Sequence, residues 1–309
     1  MIALKKYKAP GKLLITGEYL ILEGAEGLAV PLNLGQSLTV KNSETQNDVL
    51  TWKAETPAGE WFSGTFSLPD FKVLNATDAR FAKQLTRILI AVRKLNSGFL
   101  LKGDWQINTC LEFNSEYGFG SSSTLIANLA RWADVDAFEL QKQTFNGSGY
   151  DVAVALENAP IIYKLENGRP DYRKTVFKPS FTQNLFFVYL GKKQQSLHAI
   201  KQFKKNAIFT STDIQTVTSI TRQITAASSL IEFEQLLHEH EKLMSGVLKT
   251  PPVQQLFFAN YKQGVVKSLG AWGGDFVLVT SKADKKTFET QLKKLGFAVV
   301  YSYDELVAP

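Results

Sequence analysis

Apolar residues recur along this 309-residue chain with two periods, and the switches between them mark its elements. Phe81, Leu85, Ile88, Leu89, Val92 and Leu95 fall three or four apart, with Asp78 ahead and Arg93 and Lys94 behind, which predicts a helix over 78–95. Leu125, Ile126, Leu129, Ala130 and Ala133 repeat the pattern and predict a helix over 124–133, with Arg131 where a cation suits the dipole. Further helices are predicted over 136–144, 195–206, 213–227, 231–248, 253–263 and 283–295, the fifth of these announced by Pro251-Pro252. Alternating or wholly apolar runs predict strands at 28–34, 36–41, 49–52, 61–66, 105–114, 161–164, 172–176, 185–190, 265–267, 276–280 and 297–301. Pro10-Gly11 predicts a turn feeding a short strand that ends at Gly17, which puts Lys12 at the mouth of that strand. Pro31 predicts a bend or a sheet edge, and 54–59 a turn. Strands and helices do not alternate regularly, so the expected class is α+β rather than a βαβ repeat.

Composition supports a folded protein with a large core: 44% of residues are apolar and 12% aromatic. The length suits one large or two ordinary domains, and Lys178-Pro179-Ser180 marks a boundary that gives domains 1–179 and 180–309. The net charge of +6 and pI near 9.1 arise from residues spread along the chain, a solvated surface that also helps to attract a polyanion. No basic tail is present, so nucleic acid is not implied. The single Cys110 excludes an internal disulfide and a cysteine-rich metal site; it reads as a strand thiol in a reducing cytoplasm. Met1-Ile2-Ala3-Leu4-Lys5-Lys6 opens no long apolar core and no run of about 18 apolar residues occurs, so neither a signal peptide nor a membrane span is expected. His198, His238 and His240 lie in helical segments outside any metal-ligand pattern, and they read as surface or partly buried structural residues.

Three small-residue stretches remain as candidates for chemistry. In Glu116-Tyr117-Gly118-Phe119-Gly120-Ser121-Ser122-Ser123, little side-chain bulk stands between the backbone N–H groups and an approaching anion, and a helix follows. A phosphate at that helix N-terminus gains hydrogen bonds and favourable charge together. An ordinary capped turn has the same composition, because Ser is a good cap. The loop is neither a P-loop nor a dinucleotide fingerprint. Ser148-Gly149-Tyr150-Asp151 precedes the apolar run 152–156, and Asp151 reads either as a helix N-terminal residue or as a catalytic carboxylate. The third stretch is Ser268-Leu269-Gly270-Ala271-Trp272-Gly273-Gly274-Asp275.

Taken in order, Lys12 after Pro-Gly, the Gly118 to Ser123 loop, Asp151 after Ser148-Gly149, and the late glycine stretch resemble the GHMP kinases, the superfamily of galactokinase, homoserine kinase, mevalonate kinase and phosphomevalonate kinase. The resemblance spans almost the whole chain. It implies a two-domain α+β fold, with an N-terminal half like domain 2 of ribosomal protein S5 and a ferredoxin-like C-terminal half. It also implies a cytoplasmic ATP- and Mg²⁺-dependent kinase, a monomer or homodimer without nucleic-acid or membrane partners. The ATP phosphates would lie on Gly118, Gly120, Ser121, Ser122 and Ser123, with Ser122 matching the family's Mg²⁺-coordinating serine. Asp151 matches the candidate base for the acceptor hydroxyl, and Lys12 a cation beside it. Glu139 is the nearest carboxylate to the family's second metal ligand, slightly out of register, with Gln141 closer to it.

Glu18, Tyr19, Ser148, Gly149, Tyr150, Gly270, Gly273 and Gly274 would meet the acceptor. Ala-Pro-Gly-Lys followed by Gly17-Glu18-Tyr19, and Gly273-Gly274-Asp275, look like phosphomevalonate kinase; Gly149-Tyr150-Asp151-Val152-Ala153 is close to the G-Y-D-I-A signature of a bacterial subgroup. Phe119, Ser123 and Trp272 depart from the usual small or aliphatic residues at their positions. The expected reaction is phosphorylation of mevalonate or phosphomevalonate in isoprenoid precursor synthesis. A diphosphomevalonate-type decarboxylase and a catalytically silent nucleotide- and metabolite-binding homologue are the alternatives.

Overall fold

The computed structural model describes residues 4–43, 47–192 and 196–309. The expectations at Met1-Ile2-Ala3 and at Gln195 lie outside the described residues. Two compact units form, one from Met1–Gly11, Leu34–Ser115 and Phe119–Leu156, the other from Lys12–Asn33, Glu116–Gly118 and Glu157–Pro309.

The elements up to residue 157 run in the order β1 (Leu4–Leu14), β2 (Gly27–Ser43), β3 (Val49–Thr56), β4 (Gly59–Ser67), β5 (Val73–Ala76), α1 (Ala79–Leu95), β6 (Asp104–Leu111), α2 (Ser121–Ala133), α3 (Ala137–Thr144) and α4 (Tyr150–Glu157). In the first unit the strands lie in the order β5-β4-β3-β6-β2, and β3 and β6 pair in parallel because β4, β5 and α1 intervene. Alternate residues of β3 (Leu50, Trp52, Ala54) turn inward with Leu38, Val40, Phe62, Phe66 and Ile107, against Leu85, Leu89, Val92, Ile126, Leu129 and Leu140 of α1 to α3. Each such burial contributes roughly 1.5–3 kcal/mol, which is what holds helices of this length to the sheet. The carboxylate of Asp78 caps α1 by accepting from the N–H groups of Arg80 and Phe81 at 2.8 and 2.9 Å.

Several boundaries differ from the sequence pattern. Pro10-Gly11 is not a turn: β1 continues through both, so Lys12 lies inside the strand. A proline is tolerated there because, among the described residues, β1 pairs only with β2, as a sheet edge does. The close approach needs Gly35, where a Cβ would stand 2.3 Å from the Ala9 carbonyl oxygen. β3 and β4 run further than expected, leaving only Pro57-Ala58 between them, and β6 ends at Leu111. β5 went unpredicted because its Val73 and Leu74 are exposed and carry no inward period.

In the second unit Gly27–Ala29 of β2 pair with β7 (Ile161–Glu166), which pairs with β8 (Arg169–Lys174) around Asn167-Gly168. Both turn residues have positive φ, 52° and 74°, as a two-residue hairpin requires. The remaining elements are β9 (Leu185–Tyr189), α5 (Ser196–Asn206), α6 (Ser211–Ala226), α7 (Leu230–Leu248), α8 (Val253–Phe257), β10 (Val266–Ser268), β11 (Phe276–Thr280), α9 (Lys285–Lys294), β12 (Val300–Ser302) and α10 (Tyr303–Leu306). An antiparallel sheet has the order β10-β11-β9-β12. Its core joins Phe186, Val188, Val277 and Val279 to Phe288 and Leu292 of α9.

Pro31 does not break β2, because it falls between the stretch paired with β7 and the stretch paired with β6. The helix expected over 253–263 stops at Phe257: Gln254 donates to the carbonyls of Tyr261 and Gly264 and accepts from Val266 N–H, holding a turn. The strand expected over 297–301 is shortened and shifted to β12, and β8 ends before Val176, which is exposed.

Candidate active site

The glycine-serine loop is built from alternating anchors and gaps. Gly118 and Gly120 have φ of +68° and +88°, a left-handed backbone open to glycine at little cost. Phe119 between them is fully buried and packs edge-on against Phe113, ring centroids 5.5 Å apart. The Phe in place of Leu therefore serves as a core anchor for the loop.

Gly120 is the N-cap of α2 and, as a glycine, contributes no side-chain cap. Ser123 is buried and donates to the Gly120 carbonyl at 2.8 Å, whereas Ser121 is half-buried and Ser122 exposed. The three serines thus divide between loop closure and an outward hydroxyl. Thr124 and Asn128 both bond Gln36 of β2, at 2.8 and 2.9 Å, fixing the first turns of α2. Arg131 lies in the last turn of α2, as its helix dipole favours, and also donates to the carbonyls of Lys8, Ala155 and Leu156, so closing the end of α4.

Within the second unit, Lys12 Nζ donates to the Gly118 carbonyl at 3.1 Å. The Asp275 carboxylate lies on the other side of the same glycine: a Cβ on Gly118 would meet Asp275 Oδ2 at 2.4 Å. Tyr117, one residue earlier, packs its ring on Tyr189 and Phe276 at 4.9 and 5.4 Å. The first and third candidate stretches therefore meet at Gly118.

Asp151 occupies the first turn of α4, half-buried, after Gly149, whose carbonyl accepts from Ala153 N–H. One carboxylate oxygen accepts from Gln141 Nε2 at 3.1 Å and from Val152 N–H at 3.0 Å. Ser148 and Tyr150 flank it, both half-buried. On α3, Gln141 is buried and turned to Asp151 while Glu139, two positions away, is exposed. The helical period explains the difference, since positions two apart point to opposite sides. Gln141 was legible only as the residue nearer to register.

The turn Gly17-Glu18-Tyr19 is tightly held. A Cβ on Gly17 would stand 2.7 Å from Gly27 Cα, and Tyr19 has φ 60°, a strained value for a tyrosine, stacked on Phe203 with centroids 5.2 Å apart. Glu18 is fully buried and ion-paired with the equally buried Lys267 of β10. Gly17 N–H donates to His240 Nε2 at 3.1 Å, so that nitrogen carries no proton; Glu18 Oε2 stands 3.3 Å from it. Burial pushes the Glu18 carboxyl up to about 7 although Lys267 pulls it down. Burial, then Lys267, holds His240 well below the ordinary imidazole range, and burial raises Glu241. His240 is thus fully buried, a correction to its reading as a surface or partly buried residue; His238 is exposed.

In the last stretch Gly270 and Gly273 have φ of +61° and +86°, and Gly274 is buried. Trp272 does not obstruct the backbone: its ring packs into a cluster with Leu20, Ala25, Phe203, Met244 and Val247. The indole anchors the loop from behind.

Among the described residues no cluster of three or more His, Cys, Asp or Glu could hold a metal ion. Mg²⁺ with a nucleotide needs no such cage, because phosphates and waters supply most of its oxygens. An exposed hydroxyl at a helix N-terminus, as at Ser122, fits that role. Among the described residues no helix is long and apolar enough to cross a membrane.

No protein-family model and no curated sequence matches the chain. Among solved structures it is similar to L. major mevalonate kinase in complex with R-mevalonate, at 15% identity and TM-score 0.71, over 100% of this chain and 97% of that one. It is similar to Streptococcus pneumoniae phosphomevalonate kinase in complex with phosphomevalonate and AMPPNP, at 18% identity and TM-score 0.71, over 96% and 99%. Lactococcus lactis galactokinase complexed with galactose matches at 11% identity and TM-score 0.67, over 97% and 92%. All three are GHMP kinases. The chain has their fold over nearly its full length, an α+β architecture consistent with the two-domain GHMP fold.

Proposed function

We propose that this chain is an ATP-dependent GHMP-type kinase that phosphorylates mevalonate or phosphomevalonate. The observation that carries the reading is the loop before α2: two left-handed glycines, an aromatic anchor between them, a helix N-terminus whose cap residue has no side chain, and Lys12 bonded at its root. Phosphoryl transfer is mostly positioning and charge neutralisation, and such a loop supplies both.

In this reading the N–H groups of Gly120, Ser121, Ser122 and Ser123 hold the triphosphate, with Gly118 setting the path of the backbone. Mg²⁺, when bound with the nucleotide, would neutralise phosphate charge; Ser122 is its proposed protein ligand and Glu139 a second candidate. Asp151, held by Gln141, accepts or orients the proton of the acceptor hydroxyl. Lys12 offsets charge that develops on the transferring group. Glu18, Tyr19, Ser148, Gly149, Tyr150, Gly270, Gly273 and Gly274 shape the acceptor's surroundings. The domain division at 179/180, a cytoplasmic setting and a monomer or homodimer complete the proposal.

The test is an ADP-release screen over mevalonate, phosphomevalonate, homoserine and galactose. ADP formation with one of the first two alone supports the assignment. CO₂ release alongside ADP points to a decarboxylase, and tight ATP binding without ADP from any acceptor points to a silent homologue.

A further inference from the structure

Five buried residues of the second unit, Glu18, His240, Glu241, Lys267 and Ser268, join segments far apart in the chain. Lys267 Nζ bonds Glu18 Oε1 and also donates to its neighbour's carbonyl, Ser268 O, at 2.8 Å. Ser268 gives its N–H and hydroxyl to the two oxygens of Glu241, at 3.1 and 2.9 Å, and Glu241 also accepts from Val253 N–H. The residue before Glu241 on α7 is His240, which accepts from Gly17 N–H. One turn of α7 therefore holds both the Gly17–Tyr19 turn and the start of the 268–275 loop, and the Glu18–Lys267 pair ties the two directly.

Such a pair is a costly way to fill a core. Desolvating two charges costs several kcal/mol per ion, and apolar residues of similar volume often serve stability as well or better. What an apolar filling does not supply is direction: the ammonium and carboxylate fix each other at hydrogen-bond distance, and each sits within a few residues of a strained or left-handed backbone, Tyr19 on one side and Gly270 on the other. We propose that Lys267 is a positioning residue, which through Glu18 holds the 17–19 turn and the 268–275 loop in one fixed relation. This rests on the kinase reading for its consequence, since those two segments are the ones proposed to shape the acceptor's surroundings. Lys267 itself is fully enclosed.

Amide hydrogen exchange and kinetics on Lys267→Met, Glu18→Gln and the double variant test it. Expected is faster exchange, about tenfold, at 17–22 in Lys267→Met and at 268–275 in Glu18→Gln, with the double variant no looser than either single one. Acceptor kcat/KM falls about tenfold or more while nucleotide Kd stays within about threefold. Loosening spread evenly over α7 and the four-stranded sheet, or unchanged exchange in the segment opposite the mutation, overturns the proposal. So does unaltered acceptor kcat/KM in a folded Lys267→Met. Should Lys267→Met fail to fold, the isosteric Glu18→Gln carries the same two readouts. If the wild-type protein turns over no acceptor, the kinase reading falls, and the exchange measurement alone still decides whether the tie exists.

Discussion

Lys12 Nζ donates to the carbonyl of Gly118 at 3.1 Å, so a cation from β1 stands at the root of the loop that opens α2. In the proposed reaction the same ammonium offsets developing phosphate charge. Lys12→Met keeps the stem and removes the charge. Turnover is expected to fall about 10²-fold or more, with the melting temperature changed much less because the side chain is only half-buried. Steady-state kinetics beside a thermal melt checks both.

Gly118→Ala places a methyl 2.4 Å from Asp275 Oδ2 at a φ of +68°. Both the contact and the backbone oppose it, and a loss of about 1–3 kcal/mol is expected in denaturant unfolding. Asp275→Gly in the same chain relieves the contact but not the φ, so recovery should be partial. Complete recovery would show that the left-handed backbone contributes nothing.

The buried carboxyl of Glu18 gives stability a distinctive pH dependence. Its folded pKa, about 7, lies above the unfolded value of 4.5. The folded state therefore holds a proton that the unfolded chain releases, and this contribution is full below about 4.5 and lost as pH rises through about 7. His240 acts in the opposite sense, since its depressed folded pKa costs stability as pH falls below 6.5. Glu18→Gln removes only the first effect. Relative to the wild type, the variant should gain stability steadily between about pH 5 and 8. A stability difference that is flat across that range contradicts the raised carboxyl.

Much of the loop's conformation was legible in the sequence because it is local. Gly118, Gly120 and the serines lie within six residues, and the apolar period after them announces α2. The Glu18–Lys267 pair was not, because 249 positions separate its members and each looks ordinary alone: an acid in a turn, a lysine in a three-residue strand. His240 stands at helical spacing from the apolar Leu236, Leu237 and Met244, and His238 does not, so the period separates the buried residue from the exposed one. Pro31 and Pro10 misled for one reason: a proline's cost depends on which ladder its missing N–H would have joined, and strand pairing is not written locally. The early stop of α8 depends on Gln254 reaching residues 261 to 266, again beyond any local window.

Arg222 grips Glu26 with two hydrogen bonds, Nε to Oε2 at 2.9 Å and Nη2 to Oε1 at 2.7 Å, and holds that carboxyl below its usual range. The guanidinium is largely exposed, which screens the pair, so Arg222→Ala should cost about 1–2 kcal/mol. A folded pKa below 4.5 means that the contribution is present above that pH and lost as pH falls through the folded value. The wild type's advantage over Arg222→Ala should therefore shrink on acidification; an advantage independent of pH contradicts the ion pair's role.

The most direct test of the central claim is Asp151→Asn in the ADP-release assay, with nucleotide affinity measured on the same sample. The substitution keeps the size and the Gln141 neighbour but removes the carboxylate's charge and basicity. The kinase reading expects acceptor-dependent ADP release by the wild type and its loss, by about 10²-fold or more, in a variant that still binds ATP. Full turnover by Asp151→Asn would contradict it.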